Sequence, residues 1–302
     1  MKRGVHKPVL AKEIISFLDL YKFAHSKIRG KLIDATFGLG GYEVLMKDLN
    51  LDILGIEIDQ KTLKEAKARM DNLNDKKFDL HLVQGNFRNI LSIARDAGFG
   101  QVDAIMFDLG ISSFQLESGG YGLSFKFPES TLDMRLDKAS QITAADLLNT
   151  LSQKQLESLF GVVFNRSMSS RIAREVVDRR KKISFSKVAD LLDLAERAMG
   201  KKGKLHPATK IFLALRMAVN SELENLSMSL PGSFSLLKKN GRLAVVSFHS
   251  LEDRVVKNFF RKVLKEDKAR LLTKKPVLPS EDEVLNNPRS RSAKLRVIEK
   301  II

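Results

Sequence analysis

Short hydrophobic runs alternate with amphipathic stretches through the first third of the chain. The runs predict strands near residues 31–36, 52–58, 78–83 and 102–108. The stretches between them predict helices near 41–49, 60–72 and 88–97, where apolar residues recur at helical spacing and charged residues fill the positions between. Strands that alternate with helices in this way are typical of a parallel sheet with crossover helices.

The pattern changes after Asp108. A loop rich in glycine and aromatic residues extends from residue 110 to about 137, and from 142 to about 226 the pattern is helical with no convincing strand. Strands are predicted again at 241–247 and 294–301, with a helix at 251–264 between them and a proline-containing loop at 266–290. The chain is therefore predicted to have an α/β core, residues 1–114 and 219–302, interrupted by a helical insertion at 115–218 that we assign to substrate recognition.

Composition limits the possible classes of protein. The 302 residues include no cysteine and five histidines with no close pair, which excludes disulfides and a thiolate nucleophile and argues against a bound metal. Hydrophobic residues make up 43% of the chain and form no apolar run approaching twenty residues, so we expect a soluble globular protein. Membrane-surface binding is not expected either, because no amphipathic segment beside the basic clusters displays large exposed aromatics. The basic N-terminus leads to Pro8 and the charged residues Lys12 and Glu13, not to an apolar signal core, so we expect a cytoplasmic protein.

Positive charge is concentrated in the insertion. The formal net charge is +16, and residues 166–216 contain fourteen Lys or Arg against five Asp or Glu. The densest runs are residues 179–182 and the lysines 201, 202 and 204, and a second basic cluster comprises Arg289, Arg291, Lys294 and Arg296. Such a surface is typical of a polyanion-binding protein, although charge alone fits a solvated helical face equally well.

The strongest candidate for chemistry is a glycine-rich turn after the first predicted strand. It reads Asp34-Ala-Thr-Phe-Gly-Leu-Gly-Gly41, and Glu57 ends the next strand about twenty positions after the first glycine. Glycines allow positive φ and close approach of a ligand to the backbone, and an acid at this position can accept both hydroxyls of a ribose. A tight turn beside a solvated acid is the alternative, but the paired strand and acid favour a nucleoside site.

The acids around this turn narrow the choice of cofactor. Glu43 stands where the dinucleotide pattern has its third glycine, and Asp34 would repel a diphosphate, so NAD is disfavoured. No Gly-Lys-Ser/Thr sequence follows, which disfavours ATP. S-adenosylmethionine carries a sulfonium and an ammonium group and no phosphate, and therefore suits a site near Asp34 and Asp59.

Other candidate residues follow the remaining strands, because ligands of open α/β sheets bind at the carboxyl ends of the strands. Phe87 could stack on an adenine or pack in the core, and Asp108 ends an apolar run where an acid has few structural reasons to stand. The segment 247–254 predicts a helix cap, with Ser250 at the N-cap and Asp253 at the third helical position, and this cap is compatible with a substrate-facing role for His249.

Several long stretches resemble the bacterial 16S ribosomal RNA cytosine-N4 methyltransferase family (MraW/RsmH). In the family's order these are His6-Lys-Pro-Val-Leu10, the glycine turn, Phe107-Asp-Leu-Gly-Ile-Ser-Ser113 with Gln115-Leu116, Leu132-Asp-Met-Arg135, His206-Pro-Ala-Thr209, Arg216 with Asn220-Ser-Glu-Leu-Glu224, Ser247-Phe-His-Ser-Leu-Glu-Asp-Arg254 and Asn287-Pro-Arg-Ser-Arg-Ser292. These stretches cover nearly the whole chain, so chance matching is implausible.

The resemblance implies a class I S-adenosylmethionine-dependent methyltransferase fold, with a Rossmann-like sheet and an inserted all-helical domain. It places cofactor contacts on Gly40, Gly41, Tyr42, Glu57, Phe87, Asp108 and Gln115, and Asp108 is also our hypothesis for a catalytic residue. The family more usually has His where Tyr42 stands and Asp where Glu57 stands.

The resemblance also implies the reaction and the partner. The expected reaction is methyl transfer to the exocyclic N4 of a cytidine in 16S ribosomal RNA, with the small ribosomal subunit as partner and either a monomer or a homodimer as the active form. Two alternatives remain: a non-catalytic RNA-binding assembly factor, and an amino-methyltransferase acting on DNA or protein. The DNA enzymes usually carry Asn or Asp followed by Pro-Pro-aromatic, where this chain has Asp108-Leu-Gly-Ile.

Overall fold

The computed structural model describes residues 7–73, 76–200 and 206–302. These residues form two compact units: Met1–Gly110 with Leu223–Ile302, and Ile111–Glu222. The second unit thus begins at Ile111 where the sequence indicated 115, and ends at Glu222 where it indicated 218. The role of this unit in substrate recognition stays a prediction.

The first unit is built on one seven-stranded sheet. Its strands are β1 (Gly30–Asp34), β2 (Leu51–Glu57), β3 (Asp79–Gln84), β4 (Val102–Asp108), β5 (Leu237–Ser247), β6 (Ala269–Leu271) and β7 (Lys294–Lys300). Their order across the sheet is β3-β2-β1-β4-β5-β7-β6. The first five strands are parallel and β7 is antiparallel to both its neighbours. The predicted Rossmann-like sheet is confirmed, and the order reverses between β1 and β4, where such sheets bind ligands.

The α-helices are α1 (Ala11–Phe17), α2 (Gly41–Leu45), α3 (Gln60–Asp71), α4 (Ile90–Asp96), α5 (Ser113–Glu117), α6 (Ala144–Thr150), α7 (Gln153–Gly161), α8 (Arg166–Arg180), α9 (Val188–Met199), α10 (Ala208–Val219), α11 (Glu222–Leu236), α12 (Ser250–Lys265) and α13 (Glu281–Asn286). Short 3-10 helices cover Leu20–Phe23, Phe87–Asn89 and Pro288–Ser292.

Side chains from the two faces of the sheet enter two separate cores. Leu32 belongs to one and its neighbour Ile33 to the other, as the two-residue period of a strand requires. Helices α1, α2 and α3 cover the first face, and α4, α11 and α12 cover the second. The central parallel strands β1, β2 and β4 are largely buried on both faces, which is why their sequences are mostly apolar, whereas the edge strand β3 is only partly buried.

The prediction that residues 266–290 form a loop is wrong. The segment contains β6 and α13, and Ser280 caps α13 by accepting a hydrogen bond from the backbone N–H of Glu283 at 3.1 Å. The Glu283 carboxylate in turn accepts a hydrogen bond from the backbone N–H of Leu10 at 2.7 Å. A segment near the C-terminus therefore fixes the chain before α1, a contact that no local pattern could indicate.

The second unit has its own core, formed mainly by buried side chains of α6 to α10. Within residues 111–200 and 206–222 the only strand-like pairing is an antiparallel bridge between Thr131 and Lys187. The described part of the insertion is therefore helical as predicted, except for this bridge and the irregular segment between α5 and α6.

Candidate active site

The glycine-rich turn connects β1 to α2, and two of its glycines have left-handed backbone conformations. Gly40 is the N-cap of α2 with φ 70°, and a Cβ there would lie 2.9 Å from the methyl carbon of Met70 and 3.0 Å from the ring of Phe37. Gly38 has φ 57°, and its Cβ would meet only the Thr36 carbonyl oxygen, at 3.9 Å. Protein therefore fills the space beside Gly40, whereas the space beside Gly38 is open to a ligand.

Glu57, the last residue of β2, anchors this turn. Its Oε2 accepts a hydrogen bond from the backbone N–H of Gly38 at 3.0 Å, and its Oε1 accepts one from the N–H of Asp59 at 2.9 Å. Burial raises the pKa of the carboxyl to about 7, against the lowering effect of these two bonds. Each oxygen keeps a further lone pair that could accept a ribose hydroxyl.

Asp59 has a structural explanation that the sequence left open. It is the N-cap of α3, where Oδ1 accepts a hydrogen bond from the Lys61 N–H at 3.1 Å and Oδ2 accepts one from the Thr62 hydroxyl at 2.7 Å. The side chain is buried and both oxygens have donors inside the protein. We therefore attribute Asp59 to helix capping.

Asp34 and Glu43 form a buried pair of carboxyls beneath the turn. Oδ1 of Asp34 accepts a hydrogen bond from the Thr36 N–H at 2.9 Å, while burial raises its pKa to about 6. Burial, and then the charge of Asp34, raise the pKa of Glu43 well above its usual range. Burial and the mutual repulsion of the two carboxyls thus favour the neutral form of Glu43.

Asp108, the last residue of β4, lies next to Tyr42. The Tyr42 hydroxyl is 3.0 Å from Oδ2 of Asp108 and 2.7 Å from the carbonyl oxygen of Val9. The Asp108 backbone N–H donates to the Thr36 hydroxyl at 2.7 Å, which ties the ends of β1 and β4 together. Burial raises the pKa of Asp108 to about 7, and Oδ1 is buried with no hydrogen-bond partner among the described residues.

The remaining predicted site residues are Phe87 and Gly41 in the first unit and Gln115 in the second. Phe87 follows β3, is half-buried, and packs edge-to-face on Phe107 with ring centroids 5.6 Å apart. Gly41 is the first residue of α2. Gln115 belongs to the second unit, where it is buried and completes a capping box with Ser112 at the start of α5. Cofactor contacts by these residues stay a prediction.

The predicted cap of α12 is wrong by one residue. His249, not Ser250, is the N-cap, and its Nδ1 accepts a hydrogen bond from the Glu252 N–H at 3.4 Å. The Glu252 carboxylate accepts from the Phe248 N–H at 2.8 Å, whereas Asp253 forms a bidentate ion pair with Arg296 at 2.6 and 3.2 Å. Histidine was overlooked because serine is the far commoner N-cap.

The common property of this edge of the sheet is a set of desolvated acids. Asp34, Glu57 and Asp108 end three adjacent strands, and burial raises the pKa of all three to between about 6 and 7. A cationic ligand would favour their ionised forms, whereas a diphosphate would be repelled. Asp108 has an unpartnered Oδ1 among the described residues and Gly38 has an open side, and ligand binding there stays a prediction. The sequence missed Glu43 and Thr36, whose only signal was an acid and a hydroxyl beside the glycines.

The basic run 179–182 comprises two half-buried arginines bound to other elements of the unit and two exposed lysines, of which Lys181 pairs with Asp178 on the same helix at 3.1 Å. The Arg179 guanidinium donates to Asp190 at 2.6 Å, and Arg180 donates to the carbonyl oxygens of Leu148 and Leu151 at 2.8 and 2.7 Å. Lys181 and Lys182 are exposed. Both arginines are therefore held by protein groups of the unit, and contact of the run with RNA stays a prediction. Lys201, Lys202 and Lys204, like His6, lie outside the described residues.

Helices long and apolar enough to span a bilayer are absent from the described residues. The sequence matches a family model described as the MraW methylase family over residues 3–301. A relative from Dictyoglomus thermophilum, "Ribosomal RNA small subunit methyltransferase H", is 40% identical over 300 residues, which cover 98% of this chain and 97% of the relative. A protein of the same name from Coprothermobacter proteolyticus is 40% identical over 297 residues, covering 98% and 96%.

Proposed function

Because the chain belongs to the MraW methylase family, we propose that it transfers a methyl group from S-adenosylmethionine to the exocyclic N4 of a cytidine in 16S ribosomal RNA of the small subunit. The family match extends over almost the entire chain. The observation that carries the proposal is the set of buried acids at the ends of β1, β2 and β4, which suits a cationic cofactor without phosphate. We place this activity in the cytoplasm, where small subunits are assembled.

Several residues would hold the cofactor. We assign the open turn at Gly38, with Gly40, Gly41 and Tyr42, to its backbone contacts, Glu57 to its ribose hydroxyls and Phe87 to its adenine. Gln115 is assigned a further contact on the resemblance alone. When bound, the cofactor supplies a methyl group on an electron-deficient sulfonium.

The protein must make a weak nucleophile reactive. The lone pair of a cytosine amine is conjugated with the ring, so an acceptor that binds the amine protons helps the lone pair to localise. Asp108 offers such an acceptor in Oδ1, which has no hydrogen-bond partner among the residues described. With a pKa of about 7, Asp108 is substantially ionised at neutral pH and can accept a proton as the new bond forms. The target base must leave its stack to reach this edge.

The insertion supplies cations for RNA. Arg166, Arg171 and Arg174 on α8, together with Lys181 and Lys182, are exposed, and their charges can neutralise backbone phosphates. Within this unit they are better candidates than Arg179 and Arg180, whose donors bind protein groups.

A methyl-transfer assay tests the proposal. Small subunits from cells that lack this gene are incubated with the protein and tritiated S-adenosylmethionine, and the labelled nucleoside is identified by mass spectrometry. We expect N4-methylcytidine in 16S RNA that is absent before incubation. Label in DNA or protein instead would favour an amino-methyltransferase of another class. Binding without incorporation would favour an assembly factor.

A further inference from the structure

The exposed side of α12 carries a stripe of basic residues. Arg254, Asn258, Arg261 and Lys265 are exposed and stand at positions i, i+4, i+7 and i+11 of the helix. At 3.6 residues per turn these four positions fall within an arc of about 60°, and they extend over about 16 Å of the helix axis. The opposite side of α12 is buried through Val256, Phe260 and Val263. We call the four residues the α12 stripe.

The cations of the α12 stripe differ in their ion pairing from several other basic residues of this unit. Three arginines of this unit are paired with acids: Arg242 and Arg270 with Glu299, at 2.9 and 2.6 Å, and Arg296 with Asp253. Within the part of the chain that the structure describes, Arg254, Arg261 and Lys265 form no ion pair. Three cations without an ion pair on one helical face create a positive field along that face.

Helix stability does not explain the stripe. Like charges four residues apart, such as Arg261 and Lys265, destabilise a helix by about 0.2–0.5 kcal/mol. The helix dipole favours cations in the last turn, which accounts for Lys262 and Lys265 but not for Arg254 near the beginning of α12. The arrangement is better explained by an anionic partner.

The α12 stripe begins beside the candidate active site. The helix starts two residues after the end of β5, at its N-cap His249. The charge of Glu252, in the first turn of α12, acts on Asp108 and helps to raise its pKa. A polyanion lying along the stripe would therefore lead to the edge where the methyl group is transferred.

We propose that the α12 stripe binds the sugar-phosphate backbone of the RNA segment next to the target cytidine. The inference rests on the proposed function and adds a docking surface on the methyltransferase core itself, separate from the insertion. A membrane surface suits the stripe less well, because α12 contributes no exposed large hydrophobic side chain among the described residues.

The test compares two triple variants that lose the same charge. The stripe variant is R254Q/R261Q/K265Q. The control, K27Q/R95Q/K239Q, removes exposed cations before β1, at the end of α4 and at the beginning of β5, near the amino ends of the parallel strands. Thermal melting and calorimetry with S-adenosylmethionine confirm that both proteins fold and bind cofactor. Binding to a 16S RNA transcript is then measured over a series of salt concentrations, and methylation of unmethylated small subunits provides kcat and KM.

We expect the stripe variant to bind the transcript roughly tenfold more weakly and its log–log salt slope to decrease by about 2, the value for three lost contacts to a single strand. Its KM for subunits should rise while kcat at saturation is retained, and the control should match the wild type. An unchanged slope and KM would overturn the proposal, as would equal losses in both variants, which would reflect net charge alone. If the stripe variant keeps its affinity for RNA but loses binding to vesicles containing anionic lipid, or to an acidic protein, the stripe is assigned to that partner instead. If the wild type itself transfers no methyl group, the proposed function fails independently of the stripe.

Discussion

Oδ2 of Asp108 at the end of β4 lies 3.0 Å from the hydroxyl of Tyr42 on α2. The same hydroxyl lies 2.7 Å from the carbonyl oxygen of Val9, and a phenol has only one proton to donate. When Asp108 is ionised, Tyr42 donates to it. When Asp108 is protonated, it can donate to Tyr42, which then donates to Val9. The protonation of Asp108 is thus coupled to the hydrogen bonding of the N-terminal segment.

Replacing Tyr42 with Phe should move the pH dependence of activity. The hydrogen bond from Tyr42 lowers the pKa of Asp108, so its removal raises that pKa above about 7. If ionised Asp108 accepts the amine proton, the acidic limb of the kcat profile should move to higher pH. Loss of the bond to Val9 should also lower the free energy of unfolding by about 1–3 kcal/mol. A pH profile identical to that of the wild type would argue against Asp108 as the acceptor.

Stability of the cofactor-free protein should decrease between about pH 4 and pH 7. Burial raises the pKa of Asp34, Glu57 and Asp108 to between about 6 and 7, so over this range the folded state binds more protons than the unfolded state. The stabilisation from the neutral carboxyls is complete near pH 4 and is lost as the pH rises through their folded-state pKa values. Asp133, whose pKa is lowered to about 2, acts in the opposite direction and at lower pH.

Urea unfolding at a series of pH values measures this trend. In Asp108→Asn the contribution of Asp108 is absent, so the decrease in unfolding free energy towards pH 7 should be smaller than in the wild type. An equal decrease in the variant would show that Asp108 does not titrate in this range.

The two acids near the end of β2 should respond differently to neutral isosteres. Glu57→Gln places an amide NH2 against one of the two backbone N–H groups and weakens the proposed ribose bonds, each worth about 1.5–3 kcal/mol, so cofactor affinity should fall at least roughly tenfold. Asp59→Asn leaves a good N-cap, and cofactor affinity should stay within a few-fold of the wild type. Calorimetry with S-adenosylmethionine distinguishes the two. Equal affinities in both variants would remove Glu57 from the proposed site.

Within the basic run 179–182, an arginine should contribute to stability and the two lysines to RNA binding. Arg180→Met leaves the Leu148 and Leu151 carbonyls without their donor, so the free energy of unfolding should fall by about 1–3 kcal/mol. Lys181→Gln with Lys182→Gln should leave stability unchanged and reduce the slope of the salt dependence of RNA binding. Thermal melting and filter binding on the same preparations measure both properties. Destabilisation by the lysine pair would contradict this division.

The sequence by itself determined the order of the main elements. Apolar runs and glycine breaks located β1 to β5 and β7, because buried parallel strands are continuously apolar and local sterics end them. It also indicated the glycine turn and Glu57, since the chemistry of a nucleoside site needs those residue types at that spacing. The short elements β6 and α13 were missed, because their local signals are weak and long-range contacts such as that between Glu283 and Leu10 fix them.

Only the tertiary structure decided which charged residues are engaged within the protein. Arg179 and Lys181 look alike in the sequence, but Arg179 is half-buried and pairs with Asp190 of another helix, whereas Lys181 is exposed and pairs only with Asp178 of its own helix. Likewise Asp59 is used by a helix cap, whereas Asp108 has an oxygen with no partner in the described structure. Burial and hydrogen bonding depend on residues distant in the sequence, and these set the pKa of each acid and the availability of each cation.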